Sequence, residues 1–333
     1  MSLTVAELSE SALLARIFPR LQPSASVLLG PGDDAAVVAA PDGRMVVSID
    51  TQVQDQDFRL EWPNGYRSSG FDVGWKAAAQ NLSDINAMGA VPTGMVVSLT
   101  LPPGTEVAWV EDLADGLNAA IRELGASDCS VAGGDLSAGR EIAVTVAVFG
   151  SLQGRGAVLR SGARVGDTVA HCGLLGQGAA GWALLEAAEP VHALGAALRR
   201  AVALFTRPAP PLDAGPRAAV GGATAMMDIS DGLIRDAARL ADASGVTIDL
   251  DHNALTALAG PLVPIAEHLR TDPLDWVLGG GEDHGLLATF PATIRLPHGF
   301  TAIGSVLPGG DELPPVTIAG RAARTTGWDH FAD

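Results

Sequence analysis

The chain has little lysine and little cysteine, and each shortage excludes a class of chemistry. Lys76 is the only lysine among 333 residues. One lysine in that position excludes the lysine of a P-loop, the strand lysine of protein kinases and Schiff-base catalysis. Cys129 and Cys172 are the only cysteines and lack CxxC spacing, so neither a disulfide framework nor a zinc site is indicated.

Long apolar runs and positive charge are also scarce. The sequence lacks a basic start followed by an apolar stretch, and no later segment is long and apolar enough to span a bilayer. A net charge of -17 argues against a nucleic-acid backbone or an anionic membrane as a partner. We therefore expect a cytoplasmic protein, which must bind any phosphate substrate through imported cations such as magnesium.

Length and composition indicate an α/β enzyme with two domains. At 333 residues the chain exceeds the size at which a single core usually stops growing, about 250 residues. Apolar residues make up 47% of it, and glycine and proline are frequent. The short glycine-rich segment 153–157 lies between two predicted strands, so we expect one domain over 1–153 and another over 154–333.

The segment 74–92, GWKAAAQNLSDINAMGAVP, predicts a helix with two different faces. Apolar residues recur at helical spacing on one face: Trp75, Ala78, Ala79, Leu82 and Ile85. Gln80, Asn81 and Asp84 fall on the other face, and Gly89 with Pro92 supplies the stop. On this helix alone, a buried aspartate that ties it to a neighbouring loop is the simplest explanation of Asp84. A further amphipathic helix is expected over 4–18.

Aspartates repeatedly follow apolar strands and small residues in both halves of the chain. They occur in GPGDD, SIDT, AGGD and MDISDGL, and each motif alone has a simpler explanation, such as a surface turn or a helix cap. Together they predict a site in which several magnesium ions hold a polyphosphate, because each ion needs only one or two carboxylates. The candidate ligands are Asp34, Asp50, Asp84, Asp135, Asp228 and Asp231.

Eight segments resemble the thiamine-monophosphate kinase family of the aminoimidazole ribonucleotide synthetase superfamily. They span nearly the whole chain in the family order: GPGDDAAVV, SIDT, GWKAAAQNLSDINAMGAVP, AGGD, LRSGARVGD, MDISDGL, GGGEDHGLL and GWDHF. The resemblance implies phosphorylation of thiamine monophosphate by ATP with Mg²⁺ as cofactor. It also implies mixed α/β sheets, with an N-terminal domain that forms a β-barrel with a second copy in a homodimer and a C-terminal α/β domain that covers the nucleotide.

The resemblance also implies a role for particular residues. The magnesium ligands would be Asp34, Ser48, the backbone of Ile49, Asp50, Asp84, Asp135, Asp228 and Asp231, with Asp84 and Asp228 central to catalysis. ATP would contact Gly134, Asp135, Arg160 and Ser230. Substrate would contact Asp57, Glu282 and Trp328, whose ring is a suitable platform for a thiazolium cation.

Several positions depart from the family pattern and keep two alternatives open. Asp57 stands where the family usually has histidine, Leu136 and Ser137 replace two threonines, and Gly285 replaces a glutamate. The chain could be another ATP-using enzyme, similar to aminoimidazole ribonucleotide synthetase, or a paralogue that binds nucleotide or thiamine phosphate without turnover. The intact set of aspartates argues against the second alternative.

Overall fold

A computed structural model of the chain describes residues 3–31, 35–310, 313–324 and 327–328. These residues divide into two compact units. The first comprises residues 1–85 and 90–154, and the second comprises 86–89 and 155–333. Within the described residues, no helix has the length and apolar character needed to cross a membrane.

Among its described residues, the first unit contains three α-helices and six strands. The helices are α1 Glu10–Ile17, α2 Gly70–Ala87 and α3 Val107–Glu123. The strands are β1 Val27–Leu29, β2 Val37–Val38, β3 Val46–Val53, β4 Val91–Leu101, β5 Val131–Ala138 and β6 Ala143–Ser151. β1 and β2 pair with each other. The other four form an open sheet in the order β3-β6-β4-β5, in which only the β4–β5 pair is parallel.

The helix predicted around residues 74–92 is confirmed as α2, which begins four residues earlier than expected. Ser69 and Asp72 explain the earlier start, because each side chain accepts a backbone N–H of the other, at 3.2 and 3.0 Å. Gly89 adopts φ 71°, as its predicted role in ending the helix requires.

Glycines allow α2 and α3 to pack with their backbones in close contact. A Cβ atom at Gly74 would lie 2.1 Å from the carbonyl oxygen of Leu113, and one at Gly116 would lie 2.2 Å from that of Phe71. Gly70 makes a similar approach to Trp109. The glycines of α2 therefore serve helix packing.

The single helix predicted over residues 4–18 is wrong. A short 3-10 helix, Val5–Glu7, is followed by a break and then by α1. The break occurs because Ser9 takes an extended conformation and caps α1, accepting the N–H of Ala12 at 3.2 Å. Glu7 bonds back to Thr4, which closes the first turn on itself.

The second unit contains seven α-helices and seven strands among its described residues. The helices are α4 Gln177–Glu186, α5 Ala196–Thr206, α6 Ala214–Val220, α7 Leu233–Ser244, α8 His252–Ala259, α9 Val263–Leu269 and α10 Pro273–Gly279. The strands are β7 Asp167–Cys172, β8 Ala225–Ile229, β9 Val246–Leu250, β10 Gly285–Pro291, β11 Thr301–Pro308, β12 Val316–Ile318 and β13 Arg321–Ala322.

These seven strands form one mixed sheet in the order β13-β12-β9-β11-β7-β10-β8. The β12–β9 pair is parallel and the others are antiparallel. β8 and β10 are buried along almost their whole length and are mostly apolar, with Asp228 as a polar residue in β8 and Thr289 as one in β10. The mixed α/β class expected from the sequence is confirmed in both units.

Replacement of Gly74 by alanine should destabilise the protein although alanine is the better helix former. The new Cβ atom would meet the backbone of Leu113, which cannot rotate away, so we expect a loss of about 1–3 kcal/mol in the free energy of unfolding. Urea unfolding measures it. The control is Gly104→Ala, where nothing lies within 4 Å of the added atom. Equal stability of the two variants would contradict the close packing of α2 and α3.

Candidate active site

The first group of predicted residues meets where α2 packs against the edge strand β3. Ser48 donates a hydrogen bond to Asp84 at 2.5 Å, and the backbone N–H of Asp50 donates to Asn81 at 3.2 Å. Side chains alternate along a strand, so Ser48 and Asp50 share the face that meets the helix. Ile49 lies between them and its side chain is exposed on the other face. Three predicted metal ligands, Ser48, Asp50 and Asp84, are thus neighbours.

Gly134 and Asp135 lie on β5, at the opposite edge of the same sheet. Asp135 is in one row with Thr51, and Gly134 is in the adjacent row with Asp50. Adjacent rows point to opposite faces, so the carboxylate of Asp135 is on the face opposite to Asp50. Ser137 donates to that carboxylate at 2.9 Å. The first unit by itself therefore does not bring Asp135 to the cluster on α2.

Gly134 is a position where only glycine fits. A Cβ atom there would lie 2.0 Å from the carbonyl oxygen of Val97 on β4. Gly134 and its neighbours Gly133 and Asp135 line one side of a largely apolar cavity of about 680 Å³. α1, α3 and β4 contribute the apolar walls, which include Ile17, Phe18, Leu113, Leu117 and Val97. This volume lies in the range of small-molecule sites.

Asp57 lies in the turn that follows β3, where its carboxylate has a structural partner. One carboxylate oxygen accepts the N–H of Val53 at 2.7 Å, and the N–H of Asp57 donates to the carbonyl of Val53 at 3.0 Å. Its own carbonyl accepts a hydrogen bond from the buried ammonium group of Lys76 at 2.9 Å. The only lysine of the chain therefore supports the turn that carries a predicted substrate contact.

The second group of predicted residues lies at the carboxyl end of β8. Asp228 is buried near the end of the strand, with a carboxylate oxygen 3.5 Å from Nδ1 of His284. Asp231 follows in the loop before α7, and its carboxylate is 2.6 Å from Nη1 of Arg239. Ser230 lies between them. Three further predicted residues, Asp228, Ser230 and Asp231, are thus placed at one strand end, as ligand sites in α/β sheets often are.

The segment that carries Glu282 is hydrogen-bonded to this loop. The backbone N–H of Glu282 donates to the carbonyl of Ser230 at 2.9 Å. The backbone N–H of His284 donates to the carbonyl of Ile229 at 3.0 Å. Both residues take a left-handed conformation, with φ 72° and φ 52°. Residues other than glycine rarely adopt such backbone angles, and strained backbone of this kind is concentrated at functional sites.

Trp328 is held against the same loop from the C-terminal segment. The backbone N–H of Trp328 donates to the carbonyl of Asp231 at 2.9 Å. Its ring, 47% exposed, packs beside Trp182 of α4 with the ring centres 6.0 Å apart. The two predicted substrate contacts of this unit, Glu282 and Trp328, therefore bond to adjacent carbonyls, those of Ser230 and Asp231.

Asp236 is a site residue that was missed in the sequence. Its side chain is fully buried, and one carboxylate oxygen accepts the N–H groups of Ser230 and Asp231, each at 3.0 Å. Burial raises its pKa to about 6, although the N–H of Asp231 opposes the shift. The signal was present, because Asp236 falls on the apolar face of α7 with Leu233 and Ala237, where a carboxylate needs a buried partner.

Asp283 was also missed, and it anchors the glycine loop that begins α4. Its two carboxylate oxygens accept the N–H groups of Gly176 and Gly178, the latter at 2.8 Å. Gly176 has φ 79°. Burial raises the pKa of Asp283 to about 6, and these N–H groups oppose the shift. The glycine loop therefore points two of its N–H groups at a carboxylate of the protein itself.

Arg160 is not close to the second group in the described part of its unit. Arg160 is exposed in a 3-10 helix, and its carbonyl accepts a hydrogen bond from Ser244 at 2.7 Å. The preceding Leu159 pairs with Met226 near the start of β8, whereas Ser230 follows its end. Asp34 lies outside the described residues.

The donor set suits a hard cation, although no ready-made metal centre is present. Across the described part of the chain, no three His, Cys, Asp or Glu side chains come close enough to hold an ion by themselves. The neighbouring groups are pairs of carboxylates with a hydroxyl, Asp84, Asp50 and Ser48 in one unit and Asp228 and Asp231 with Ser230 in the other. Mg²⁺ prefers such oxygen ligands and commonly takes substrate phosphates as its others.

Comparison with known proteins identifies the family to which the chain belongs. The family of AIR synthase related proteins matches with its N-terminal domain over residues 32–152 and with its C-terminal domain over residues 164–292. The thiamine-monophosphate kinase of Mycobacterium tuberculosis (strain ATCC 25618 / H37Rv) is 46% identical over 92% of this chain and 87% of its own length. That of Escherichia coli (strain K12) is 34% identical over 97% and 98%. The chain belongs to the thiamine-monophosphate kinase family.

Solved structures agree with this assignment. AaThiL complexed with AMPPCP and TMP superposes with a TM-score of 0.76 at 31% identity, over 99% of this chain and 100% of that chain. The thiamine-monophosphate kinase of Stenotrophomonas maltophilia K279a gives a TM-score of 0.76 at 30% identity, over 97% and 99%. The hydrogenase maturation protein HypE of E. coli shares the fold, with a TM-score of 0.65 at 15% identity.

Asp283→Asn should loosen the glycine loop before α4. Asparagine has one acceptor oxygen, so its NH₂ group would face one of the two buried N–H donors, at a cost of about 1–3 kcal/mol in the free energy of unfolding. Urea unfolding at neutral pH measures it. Asp272→Asn is the matched control, because Asp272 caps α10 with a single N–H bond that asparagine can also accept. Similar losses in both variants would contradict the anchoring role.

Proposed function

We propose that this chain transfers the γ-phosphoryl group of ATP to thiamine monophosphate and so forms thiamine diphosphate. The observation that carries the proposal is the pair of oxygen-donor clusters, one between β3 and α2 and one at the end of β8, on a chain 46% identical to a protein named thiamine-monophosphate kinase. The near-complete superposition on AaThiL complexed with AMPPCP and TMP supports the same two ligands.

We propose that both clusters hold magnesium. In the domain 1–153 the ligands would be Asp84, Asp50, Ser48 and the backbone of Ile49, with Asp34 and, on the opposite face of the sheet, Asp135. Asp228 and Asp231 would serve in the domain 154–333. The bound ions would neutralise phosphate oxygens, which suits a chain of net charge -17 with one buried lysine.

ATP and thiamine monophosphate would be held by the remaining predicted residues. Gly134, Asp135, Arg160 and Ser230 would contact ATP, and the apolar cavity beside Gly134 and Asp135 is suited to the base. Glu282 and the exposed ring of Trp328 would hold the thiamine part of the substrate. Asp57, in the turn after β3, would be a further substrate contact.

The reaction suits residues that orient rather than residues that move a proton. The acceptor is an ionised phosphate oxygen, so no general base has to activate it. In-line alignment of the two phosphates and compensation of their charge then supply most of the rate acceleration. Asp84 accepts a hydrogen bond from Ser48, and Asp228 lies beside His284. These two carboxylates would be the central metal ligands of the two clusters.

Turnover tests the proposal directly. Purified protein with Mg²⁺ and ATP should release ADP with thiamine monophosphate as acceptor and form thiamine diphosphate, and it should not do so with thiamine or an aminoimidazole precursor. Asp84→Asn and Asp228→Asn should each lower kcat by about 100-fold or more, since each removes a charged ligand. Asp272→Asn, an exposed helix cap, is the control.

Each other outcome selects a different function. Turnover with the aminoimidazole precursor alone would favour the superfamily's other chemistry. Nucleotide binding without any phosphorylated product would favour a non-catalytic paralogue. Full activity in both aspartate variants would overturn the metal assignment while leaving the substrate in place.

We further propose that two copies of the chain pair through the open sheet of the first unit to form a barrel. The face of β3 that does not meet α2 exposes the apolar side chains of Val47 (56%) and Ile49 (63%). β3 and β5 each have one edge without a strand partner among the described residues. An apolar face with open edges is the kind of surface that a second copy would cover.

Val47→Glu should break this pairing. A carboxylate at the centre of a buried interface would be desolvated without a partner, so the variant should elute as a monomer in size-exclusion chromatography with light scattering, where the unsubstituted protein elutes as a dimer. Val220→Glu is the control, because Val220 is 75% exposed on α6 of the other unit. A monomeric unsubstituted protein, or a dimeric Val47→Glu variant, would contradict the proposed pairing.

A further inference from the structure

Arg239 on α7 bridges two carboxylates at the predicted metal loop. Its Nη1 atom lies 2.6 Å from Oδ2 of Asp231 and 2.7 Å from Oδ1 of Asp236. The side chain of Arg239 is 39% exposed, that of Asp231 is 20% exposed and that of Asp236 is fully buried. The bridge therefore runs from the interior of the unit to a carboxylate that solvent and ligands can reach.

Asp236 makes this bridge part of the loop's framework. Its second carboxylate oxygen accepts the backbone N–H groups of Ser230 and Asp231. The backbone of Asp231 and its carboxylate are thus both tied to the Asp236–Arg239 pair. Burial tends to lower the pKa of Arg239, but its hydrogen bond to Asp231 and the charges of Asp231 and Asp236 raise it above the ordinary value.

We propose that Arg239 is a positioning residue, which orients the carboxylate of Asp231 for a divalent cation. The inference rests on the proposed function in one respect, the assignment of Asp231 to the metal. Arg239 leaves Oδ1 of Asp231 for the cation while it holds Oδ2. Residues that orient a metal ligand in this way commonly change metal affinity by about 10–100-fold when they are removed.

The direction of the effect separates positioning from plain electrostatics. A guanidinium near a cation repels it, so charge alone predicts tighter metal binding after Arg239 is neutralised. Loss of a positioning contact predicts weaker binding, because Asp231 must then be ordered at the moment the ion binds. If Arg239 only stabilises the fold, its replacement should not change the metal affinity of the folded protein.

The test is a titration of the full chain with Mn²⁺, followed by electron paramagnetic resonance, in the presence and absence of AMPPCP. Arg239→Gln should weaken Mn²⁺ binding by about 10-fold or more. Arg239→Lys, which keeps the charge, should restore part of the affinity. Arg122→Gln is the control, because it removes one guanidinium from an exposed ion pair on α3 of the first unit. Circular dichroism confirms that each variant is folded.

Unchanged or tighter Mn²⁺ binding by folded Arg239→Gln would overturn the inference, and so would a lack of Mn²⁺ binding by the unsubstituted protein. If Arg239→Gln does not fold, Arg239→Lys decides, and affinity equal to that of Arg122→Gln would refute positioning by the guanidinium. The proposed function is judged separately. Normal formation of thiamine diphosphate with unaltered Mn²⁺ affinity in Arg239→Gln would sink this inference alone, whereas weakened affinity without any phosphorylated product would sink the substrate assignment alone.

Discussion

Backbone hydrogen bonds of one short loop, residues 229–232, hold the candidate site of the second unit together. The carbonyls of Ile229, Ser230 and Asp231 accept N–H groups from His284, Glu282 and Trp328. The N–H groups of Ser230 and Asp231 in turn donate to Asp236. A loop whose donors and acceptors are both satisfied by the protein has little freedom to move. Four predicted site residues of this unit, Ser230, Asp231, Glu282 and Trp328, are therefore tied to the same loop.

Negative charge is the second constraint on this molecule. The chain carries 38 acidic and 21 basic residues, and several carboxylates are buried where water cannot screen them. Asp236 and Asp283 are stabilised by backbone N–H groups, and Asp236 also by Arg239. The carboxylate pairs beside β3 and at the end of β8 have a hydroxyl, a histidine and the guanidinium of Arg239 among their partners. Such pairs suit bound divalent ions.

Local pattern was sufficient wherever one element carried the whole signal. The apolar spacing of α2 and the strands that carry Asp50 and Asp228 were all predicted within a few residues of their observed bounds. The prediction failed over residues 4–18, where a continuous apolar pattern hid the cap at Ser9. Asp236 and Asp283 were missed for a related reason. Each looks like an ordinary acidic residue until its partner, which is distant in sequence or one helical turn away, is known.

The sequence by itself determined which chemistry is possible. One lysine and two cysteines exclude whole classes of catalyst, and strand-end aspartates in family order indicate a phosphate-handling enzyme that relies on imported cations. Only the tertiary structure decided which residues are neighbours and which way they point. In the structure, Asp135 lies on the sheet face opposite to Asp50. Lys76 donates a hydrogen bond to the carbonyl of Asp57, and Arg239 lies between Asp231 and Asp236. The reason is physical: residue type fixes charge and ligand chemistry, whereas strand register and helix packing fix distance and direction, and these depend on contacts between distant parts of the chain.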